Sequence, residues 1–207
     1  MNVAGSYDRW SNQYDSNVNR TRDLEAISLR QSLKEQHFRR ILEIGCGTGK
    51  NTVFLQTIGD EIIAVDISGE MLSVAKKKIS SPNVSFLHAD IQQQWDFATP
   101  PFDLVTFSLV LEHIEDLNEI MTKTATIIED GGIVYISELH PFKQYNGSKA
   151  RFETPAGMEI VSCFTHHITD FTHAATGAGL QVKEIKEYFD DDDRSRIPRL
   201  FTMTCKK

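Results

Sequence analysis

Residues 41–51, Ile-Leu-Glu-Ile-Gly-Cys-Gly-Thr-Gly-Lys-Asn, restrict the fold more than any other part of the chain. An apolar stretch ends there, and glycines alternate at Gly45, Gly47 and Gly49. Glycine lets a tight turn follow a buried strand, and it lets backbone N–H groups approach a ligand without an obstructing Cβ. We therefore predict a strand, a glycine turn and then a helix for which Thr48 is the N-cap.

The glycine spacing differs from that of two common phosphate-binding motifs. The dinucleotide fingerprint is G-x-G-x-x-G, whereas the third glycine here comes one residue early. A P-loop needs Gly-Lys-Ser/Thr after four spacer residues and an earlier glycine. In this chain Gly49-Lys50 is followed by Asn51, and no glycine lies five positions before Gly49. Both motifs are therefore disfavoured.

A carboxylate at the end of the next apolar segment is the second informative feature. Residues 61–66 read as a short strand that ends in Asp66, which lies 21 positions after Gly45. This separation is close to the spacing of about 20 residues at which an acid on the second strand meets ribose hydroxyls. Ser68 is then the predicted N-cap of an amphipathic helix that carries Met71 on its apolar face.

Strand-like and helix-like segments alternate from about residue 39 to residue 138, which predicts a parallel sheet covered by helices on both faces. Apolar residues at three- and four-residue steps over 114–128 predict a helix, and Glu129 to Gly132 should end it with a glycine C-cap. The predicted strands are Arg40–Ile44, Glu61–Asp66, Val84–His88, Leu104–Phe107, Ile133–Ser137, Leu180–Tyr188 and Ile197–Cys205.

Two segments lie outside this alternating pattern. Residues 1–38 are polar and aromatic at first and then helical, and residues 139–168 form a loop rich in His, Tyr and Phe. A last helix follows the loop, with Thr169 or Asp170 as its expected cap. Ligands of open parallel sheets bind outside the carboxyl ends of the strands, so the 139–168 loop should overhang the site.

Composition narrows the class of protein. The chain has 207 residues, of which 40% are hydrophobic and 25% charged, and this is ordinary for one soluble domain over 1–207. A net charge of -7 argues against a nucleic-acid partner. The first residues lack a signal-peptide layout and no apolar run reaches membrane-spanning length, so no membrane association is expected. Cys46, Cys163 and Cys205 are widely spaced, which favours reduced thiols in the cytoplasm.

An acidic residue followed by G-x-G-x-G resembles the first motif of class I S-adenosylmethionine-dependent methyltransferases. The resemblance covers nearly the whole chain and is most specific over 41–138. It implies a Rossmann-like α/β fold with a seven-stranded, mostly parallel sheet, an antiparallel last strand and helices on both faces. It also implies S-adenosyl-L-methionine as cofactor, S-adenosyl-L-homocysteine as product, and methyl transfer to a small-molecule acceptor by direct in-line displacement.

The resemblance further implies where the cofactor binds. The glycine turn wraps its methionine part with Glu43 behind, Asp66 meets the ribose, Asp90 meets the adenine amino group, and the aromatic N-terminus resembles the family's lid. The segment from Ser108 to Ile114 is similar to the motif at the methyl-transfer face. The expected cofactor-binding residues are Tyr14, Arg22, Glu43, Gly45, Cys46, Gly47, Thr48, Gly49, Asp66, Ile67, Met71, Asp90, Ile91, Ser108, Leu109 and His113.

The chemistry mainly requires alignment of a nucleophile behind an already activated methyl group, and orientation of this kind contributes about 7–11 kcal/mol. A base is needed only if the nucleophile arrives protonated, and histidine suits that role near neutral pH. We predict His140 and His113 as catalytic candidates, with shaping of the cofactor pocket as the other role for His113. No metal site is expected. The predicted substrate pocket contains Tyr7, Trp10, His140, Tyr145, His166 and His167.

Three other functions fit the sequence less well. A nicotinamide-dependent oxidoreductase is disfavoured by the glycine spacing and the lack of a Tyr-x-x-x-Lys set. A non-catalytic S-adenosylmethionine-binding sensor or partner subunit has less need of the aromatic loop. An RNA or protein methyltransferase has support only from basic residues such as Arg39 and Arg40, which are also typical of a solvated face. The acceptor atom stays open among nitrogen, oxygen, carbon and sulfur, and both a monomer and a homodimer fit the sequence.

Overall fold

The computed structural model, which describes residues 2–155 and 157–207, is built on one large sheet. Its strands are β1 (Phe38–Ile44), β2 (Gly59–Asp66), β3 (Val84–His88), β4 (Phe102–Ser108), β5 (Ile128–Leu139), β8 (Gln181–Tyr188) and β9 (Leu200–Lys206), and a separate hairpin consists of β6 (Arg151–Thr154) and β7 (Gly157–Ile160). The helices are α1 (Val3–Tyr14), α2 (Arg20–Leu33), α3 (Thr52–Leu55), α4 (Gly69–Lys78), α5 (Leu117–Ile127), α6 (Pro141–Tyr145) and α7 (Ile168–Gly177). None of these helices, within the residues described, is both long enough and apolar enough to cross a membrane.

The large sheet has seven strands in the order β3-β2-β1-β4-β5-β9-β8. Strands β1 to β5 are mutually parallel, and β9 runs antiparallel to both of its neighbours, β5 and β8. The predicted α/β fold with a mostly parallel seven-stranded sheet and an antiparallel last strand is confirmed.

Helices cover both faces because the central strands are apolar on both sides. In β1, Leu42 and Ile44 belong to a core cluster that contains residues of α5 and α7. The preceding residue, Ile41, belongs to a second cluster that contains Leu29 and Leu33 of α2. Successive side chains of a strand point to opposite faces, so one strand supplies two cores.

The boundary between α5 and β5 differs from the sequence prediction. The helix ends at Ile127, Ile128 is already extended, and no glycine C-cap is formed. Residues 129–132 instead lie within β5, where the partner of Phe102 is Ile128 but the partner of Leu104 is Ile133. The glycines therefore allow a shift in the hydrogen-bond register between β4 and β5. From the local sequence alone, a glycine pair with this role looks the same as one that ends a helix.

The start of α7 also differs by a few residues. Its N-cap is His167, not Thr169 or Asp170, and Asp170 closes a capping box by accepting a 2.7 Å hydrogen bond from the His167 backbone N–H. An acid at the third helical position stabilises the first turn as well as a capping oxygen does. The predicted cap residues were therefore wrong, although Asp170 stabilises the helix start from its third position.

The segment predicted as a loop, 139–168, contains regular structure. It folds into α6 and the β6–β7 hairpin, and the hairpin packs against α1. Trp10 of α1 stacks on Phe152 of β6 with ring centroids 5.0 Å apart and an interplanar angle of 13°. A third apolar cluster forms there, so the two segments outside the sheet pack together on its carboxyl-end side.

The glycine turn after β1 does not lead into a helix at Thr48. The helix α3 begins at Thr52, and the Thr48 hydroxyl instead donates to Asp15, just after α1, at 2.7 Å. Gly49 has a φ of +77°, and a Cβ there would lie 2.9 Å from Ile79 Cδ1 and 3.2 Å from Ala75 Cβ. This glycine is therefore required for close packing of the turn on α4, in addition to its backbone conformation.

Glu43 supports the same turn from beneath. Its carboxylate is buried in β1 and accepts a 2.6 Å hydrogen bond from the Thr52 hydroxyl at the start of α3. Burial raises the pKa of Glu43 to about 8, against the opposing effect of the Thr52 hydrogen bond. The side chain is thus largely protonated at neutral pH in the folded chain.

We expect Gly49→Ala to lower the free energy of unfolding by about 2–3 kcal/mol, because it adds both left-handed backbone strain and overpacking against α4. Chemical denaturation measures this loss. Gly69→Ala is the matched control, since a Cβ at the start of α4 meets nothing within 4 Å. An equal loss in both variants would contradict the close packing at Gly49.

The raised pKa of Glu43 makes stability depend on pH. The folded chain retains a proton that the unfolded chain loses above about pH 4.3, so this residue's contribution is complete at low pH and is lost as pH rises through about 8. Glu43→Gln removes this titration and should reduce the fall in unfolding free energy between pH 5 and pH 8 by on the order of 3 kcal/mol. Urea denaturation at several pH values measures the slope. Replacing exposed Glu35 in the same way should leave the slope unchanged, and equal slopes for all three proteins would contradict the burial argument.

Candidate active site

A cavity, here called cavity 1, lies at the carboxyl ends of β1 to β4, where ligands of open parallel sheets bind. Its empty volume is about 730 Å³ including the open mouth. Most of its wall comes from residues at the ends of these strands or directly after them. The predicted cofactor-binding residues that line it are Tyr14, Gly45, Gly47, Asp66, Ile67, Met71, Asp90, Ile91, Ser108, Leu109 and His113.

Gly47 and Asp66 form the floor of cavity 1. The Asp66 carboxylate accepts hydrogen bonds from the backbone N–H of Gly47 at 2.7 Å and from that of Ser68 at 2.8 Å. Burial raises the pKa of Asp66, while these two N–H groups oppose the shift. A Cβ on Gly47 would meet nothing within 4 Å, so the backbone is open to the cavity. These features suit an adenosyl ligand, because each carboxylate oxygen keeps a lone pair for a hydroxyl.

Five residues from the same predicted set do not line cavity 1. Glu43, Thr48 and Gly49 stabilise the turn from outside, as described above. Cys46 is buried in the second core cluster, and this burial raises the pKa of its thiol well above the ordinary value. Arg22 is buried in α2, where it donates to the Asn17 carbonyl oxygen at 2.9 Å and lies over the Tyr14 ring. These residues therefore shape the wall from behind.

Helix α1 covers cavity 1 and is held there by hydrogen bonds at its middle and at its C-terminal end. In its middle, Asp8 accepts a 2.6 Å hydrogen bond from the Ser68 hydroxyl of the α4 cap. At its end, Asp15 accepts from the Lys78 ammonium group at 2.6 Å and from the Thr48 hydroxyl. The predicted N-cap role of Ser68 is also confirmed, since its oxygen accepts from the Met71 N–H. The first helix thus joins the glycine turn to α4.

His113 lies where α1 meets the wall that follows β4. Its Nδ1 is 2.7 Å from the Ser162 carbonyl oxygen, which can only accept, so Nδ1 carries a proton. The other ring nitrogen, Nε2, is 2.8 Å from the Tyr7 hydroxyl, which can donate to it or accept from it. Both ring nitrogens are therefore engaged by protein groups, and the geometry favours the positioning role of His113 over the base role.

A second, more polar cavity, cavity 2, adjoins the first. Its empty volume is about 1100 Å³ including its mouth, and α1, the α1–α2 connection and the start of β6 supply most of its wall. Tyr7, Tyr14 and Leu109 line both cavities. Leu109 has a φ of +54°, a conformation that is strained for a residue with a Cβ. This strained residue directly follows β4 at the junction of the two cavities.

Glu112 is the carboxylate among the residues that line cavity 2. The residue is 6% exposed, and its Oε2 accepts no hydrogen bond from the described residues. Burial raises the pKa of Glu112, while His113 and Gln144 oppose the shift. The sequence prediction missed this residue, although it lies beside His113 in the segment that resembles the family motif.

Glu138 is a second missed residue, and it positions Glu112. Its buried carboxylate accepts from the backbone N–H groups of Val110 at 3.0 Å and Leu111 at 2.7 Å, at the start of the 3-10 turn Leu111–His113. One feature of the sequence could have identified Glu138: it is an acidic residue near the end of a parallel strand, as Asp66 is in β2.

The predicted substrate pocket is only partly assembled. Tyr7 and Trp10 line cavity 2, whereas the other four predicted residues line neither cavity. His140 caps α6 by accepting from the Phe142 N–H at 3.2 Å and lies 3.1 Å from Glu187. His166 bonds to the Ile114 carbonyl oxygen, and His167 bonds to Tyr145. His140, Tyr145, His166 and His167 therefore serve local structure. In the described ranges, no group of three or more His, Cys, Asp or Glu residues is placed to hold a metal ion.

Comparison with known proteins places this geometry in a family. The family described as methyltransferase domain matches residues 14–185. A ubiquinone biosynthesis O-methyltransferase of Xanthomonas euvesicatoria pv. vesicatoria (strain 85-10) is 28% identical over 187 residues, which cover 84% of this chain and 74% of that protein.

Solved structures of similar fold include two methyltransferases. An S-adenosylmethionine-dependent methyltransferase from Mesorhizobium loti has a TM-score of 0.72 at 19% identity. The alignment covers 87% of this chain and 96% of the Mesorhizobium loti chain. The N-methyltransferase NodS from Bradyrhizobium japonicum WM9, in complex with S-adenosyl-L-homocysteine, has a TM-score of 0.72 at 19% identity. The alignment covers 100% of this chain and 99% of the NodS chain. With the family match over most of its length and this fold, the chain belongs to the methyltransferase-domain family, and the predicted class I S-adenosylmethionine-dependent methyltransferase is confirmed.

Proposed function

We propose that this enzyme binds S-adenosylmethionine in cavity 1 and methylates a hydroxyl group of a small-molecule acceptor in cavity 2. The observation that carries the proposal is the common wall of the two cavities, formed by Tyr7, Tyr14 and Leu109. Two ligands that meet at this wall are separated from bulk water by α1, which favours proximity and orientation as the main source of rate enhancement.

The residues of cavity 1 fit the three parts of the cofactor. The open backbone at Gly47 accommodates the methionine part, the Asp66 carboxylate accepts from the ribose hydroxyls, and Met71 with Ile91 provides an apolar site for the adenine. Asp90 lies in the same wall and suits the adenine amino group. S-adenosylmethionine supplies a methyl group that is already activated on its sulfonium.

We assign the base to Glu112 and not to a histidine. The related ubiquinone biosynthesis enzyme is named an O-methyltransferase, which supports an oxygen nucleophile. The acceptor oxygen forms its new bond to the methyl carbon, the carbon–sulfur bond breaks with its electron pair left on sulfur, and the hydroxyl proton passes to the Glu112 carboxylate. A pKa raised by burial makes this carboxylate a better proton acceptor than an exposed one.

The partner and location expectations belong to the same proposal. The basic residues considered for RNA contact are engaged by carboxylates, Arg39 by Glu129 at 2.5 Å and Arg40 by Glu61 at 2.7 Å, which supports a small molecule over a nucleic acid. We further propose one catalytic domain with α1 as its lid, a monomer or homodimer, and a cytoplasmic location. The spacing of the three free cysteines supports that location.

Thermal unfolding tests the cofactor site. S-adenosylmethionine or S-adenosylhomocysteine at a hundred times its Kd should add about 2.7 kcal/mol of stability, or roughly 5–11 °C in Tm, whereas NAD should add nothing. Asp66→Asn should abolish the shift because it removes the ribose acceptor charge. The exposed control Asp96→Asn should retain it. A shift with NAD alone would contradict the assignment of cavity 1.

Kinetics of Glu112→Gln test the base. With methyl-labelled cofactor and any hydroxyl acceptor found by screening phenols, catechols and aliphatic alcohols, kcat should fall by about 100- to 1,000-fold. The affinity for S-adenosylhomocysteine should stay unchanged, because Glu112 lines only cavity 2. The wild-type rate should fall as pH drops through the raised pKa of Glu112, and the variant should lose that dependence. Exposed Glu115→Gln is the control, and an unchanged kcat in Glu112→Gln would exclude the role.

A further inference from the structure

We propose that cavity 2 recognises an acceptor with an anionic group, a carboxylate or a phosphate, through Lys149 and Arg151 at its mouth. The inference rests on the proposed function, since it identifies the chemistry of the acceptor for the same site. The charge of the cavity wall is opposite in sign to that of the whole protein.

Basic side chains are concentrated in the wall of cavity 2. Glu112 is its one acidic residue among those described, whereas four lining residues are basic: Arg20, Lys149, Arg151 and Arg199. The chain as a whole carries a net charge of -7. A positive cavity in a negative protein concentrates anionic ligands locally, and it does not follow from the overall composition.

Two of the four basic residues are already engaged by acids. Arg199 forms a bidentate ion pair with Asp190, in which Nη2 of the arginine is 2.7 Å from Oδ2 of the aspartate. Its Nη1 also donates to the Thr21 hydroxyl. Arg20 lies 3.7 Å from the exposed Asp191. These contacts offset much of the positive charge on Arg20 and Arg199, so neither carries the proposal.

Lys149 and Arg151 have no such partner. Both are exposed, and within the described parts of the chain neither has a carboxylate at ion-pair distance. Other basic residues around the lid are paired, as Arg9 is with Glu159 and Lys78 with Asp15. The uncompensated positive charge of this region therefore lies at one place, beside the opening of cavity 2.

The fold holds these two side chains in a defined position. They flank Ala150, whose backbone carbonyl accepts a 2.9 Å hydrogen bond from the Val161 N–H across the β6–β7 hairpin. Ala150 and the neighbouring Phe152 belong to the cluster that packs on Trp10 of α1. The start of β6 is thus fastened to the lid helix, which makes Lys149 and Arg151 part of a built wall.

The placement of the cations also sets the orientation of the acceptor. Glu112 lies in the buried part of the wall, while Lys149 and Arg151 are exposed and positively charged. An anionic group is attracted to the two cations at the mouth, which directs the opposite, hydroxyl-bearing end inward toward Glu112. Charge complementarity of this kind selects the reactive orientation in addition to providing affinity.

The cofactor's own carboxylate is the competing ligand for these cations. Lys149 and Arg151 line cavity 2 and are absent from the lining of cavity 1. We therefore expect their replacement to affect acceptor-like anions and to leave cofactor binding unchanged. This difference separates the two ligands experimentally.

The test is calorimetric titration of the full chain, saturated with S-adenosylhomocysteine, using benzoate, phenyl phosphate and the neutral benzyl alcohol as probes. Benzoate or phenyl phosphate, whichever carries the same anionic group as the acceptor, should bind more tightly than benzyl alcohol. The affinity for that anion should fall with added salt. The double variant Lys149→Gln/Arg151→Gln should weaken that anion by about tenfold while the Kd of benzyl alcohol stays the same. A preference for benzoate identifies a carboxylate, and one for phenyl phosphate identifies a phosphate.

The control is Lys76→Gln/Lys77→Gln, which removes the same charge from exposed positions of α4 that line neither cavity. It should leave the affinity for every probe unchanged. Equal affinity for anions and benzyl alcohol, or unchanged anion affinity in the Lys149/Arg151 variant, overturns the proposal. A parallel loss of S-adenosylhomocysteine affinity also overturns it, since the cations then serve the cofactor. Failure of S-adenosylhomocysteine to bind the wild-type chain contradicts the proposed function itself.

Discussion

The Asp66 carboxylate joins the two elements on which the rest of the site depends. It accepts from Gly47 in the turn after β1 and from Ser68 at the cap of α4, so one side chain fixes the distance between them. Burial raises the pKa of Asp66, and the two backbone N–H groups offset part of that shift. Because Gly47 and Met71 both line cavity 1, this interaction fixes two parts of its wall relative to each other.

The lid converts an open sheet edge into two adjoining cavities. Helix α1 is fastened to α4 and the glycine turn by Asp8 and Asp15, and to the β6–β7 hairpin by the Trp10–Phe152 stack. Aromatic stacking adds attraction beyond the burial of area, so the hairpin and the helix form one cover. The same packing brings Tyr7 to the junction with Leu109, where methyl transfer is proposed.

The carboxylates and the cations of this site lie at different depths in the protein. Three carboxylates whose pKa values are raised by burial lie within the site, Glu112 and Glu138 fully buried and Asp66 partly so, whereas the unpaired cations Lys149 and Arg151 lie at the surface. An inner carboxylate without full compensation costs stability, and such a cost is commonly retained where the group has a chemical task. The proposed base role and the proposed anion recognition are two consequences of this one arrangement.

The parallel sheet, the glycine turn and the proximity of Gly47 to Asp66 could be predicted from local spacing, because both residues lie near consecutive strand ends and parallel strands bring such ends together. Most of the remaining wall of cavity 1 was implied by the resemblance to class I methyltransferases. The acceptor side could not be predicted in either way, because it depends on tertiary packing. His140 follows β5 as expected, yet it caps α6, while Glu112 and Arg151 meet at cavity 2 only after the hairpin folds onto α1. Contacts between segments far apart in the chain are set by packing, which no local pattern encodes.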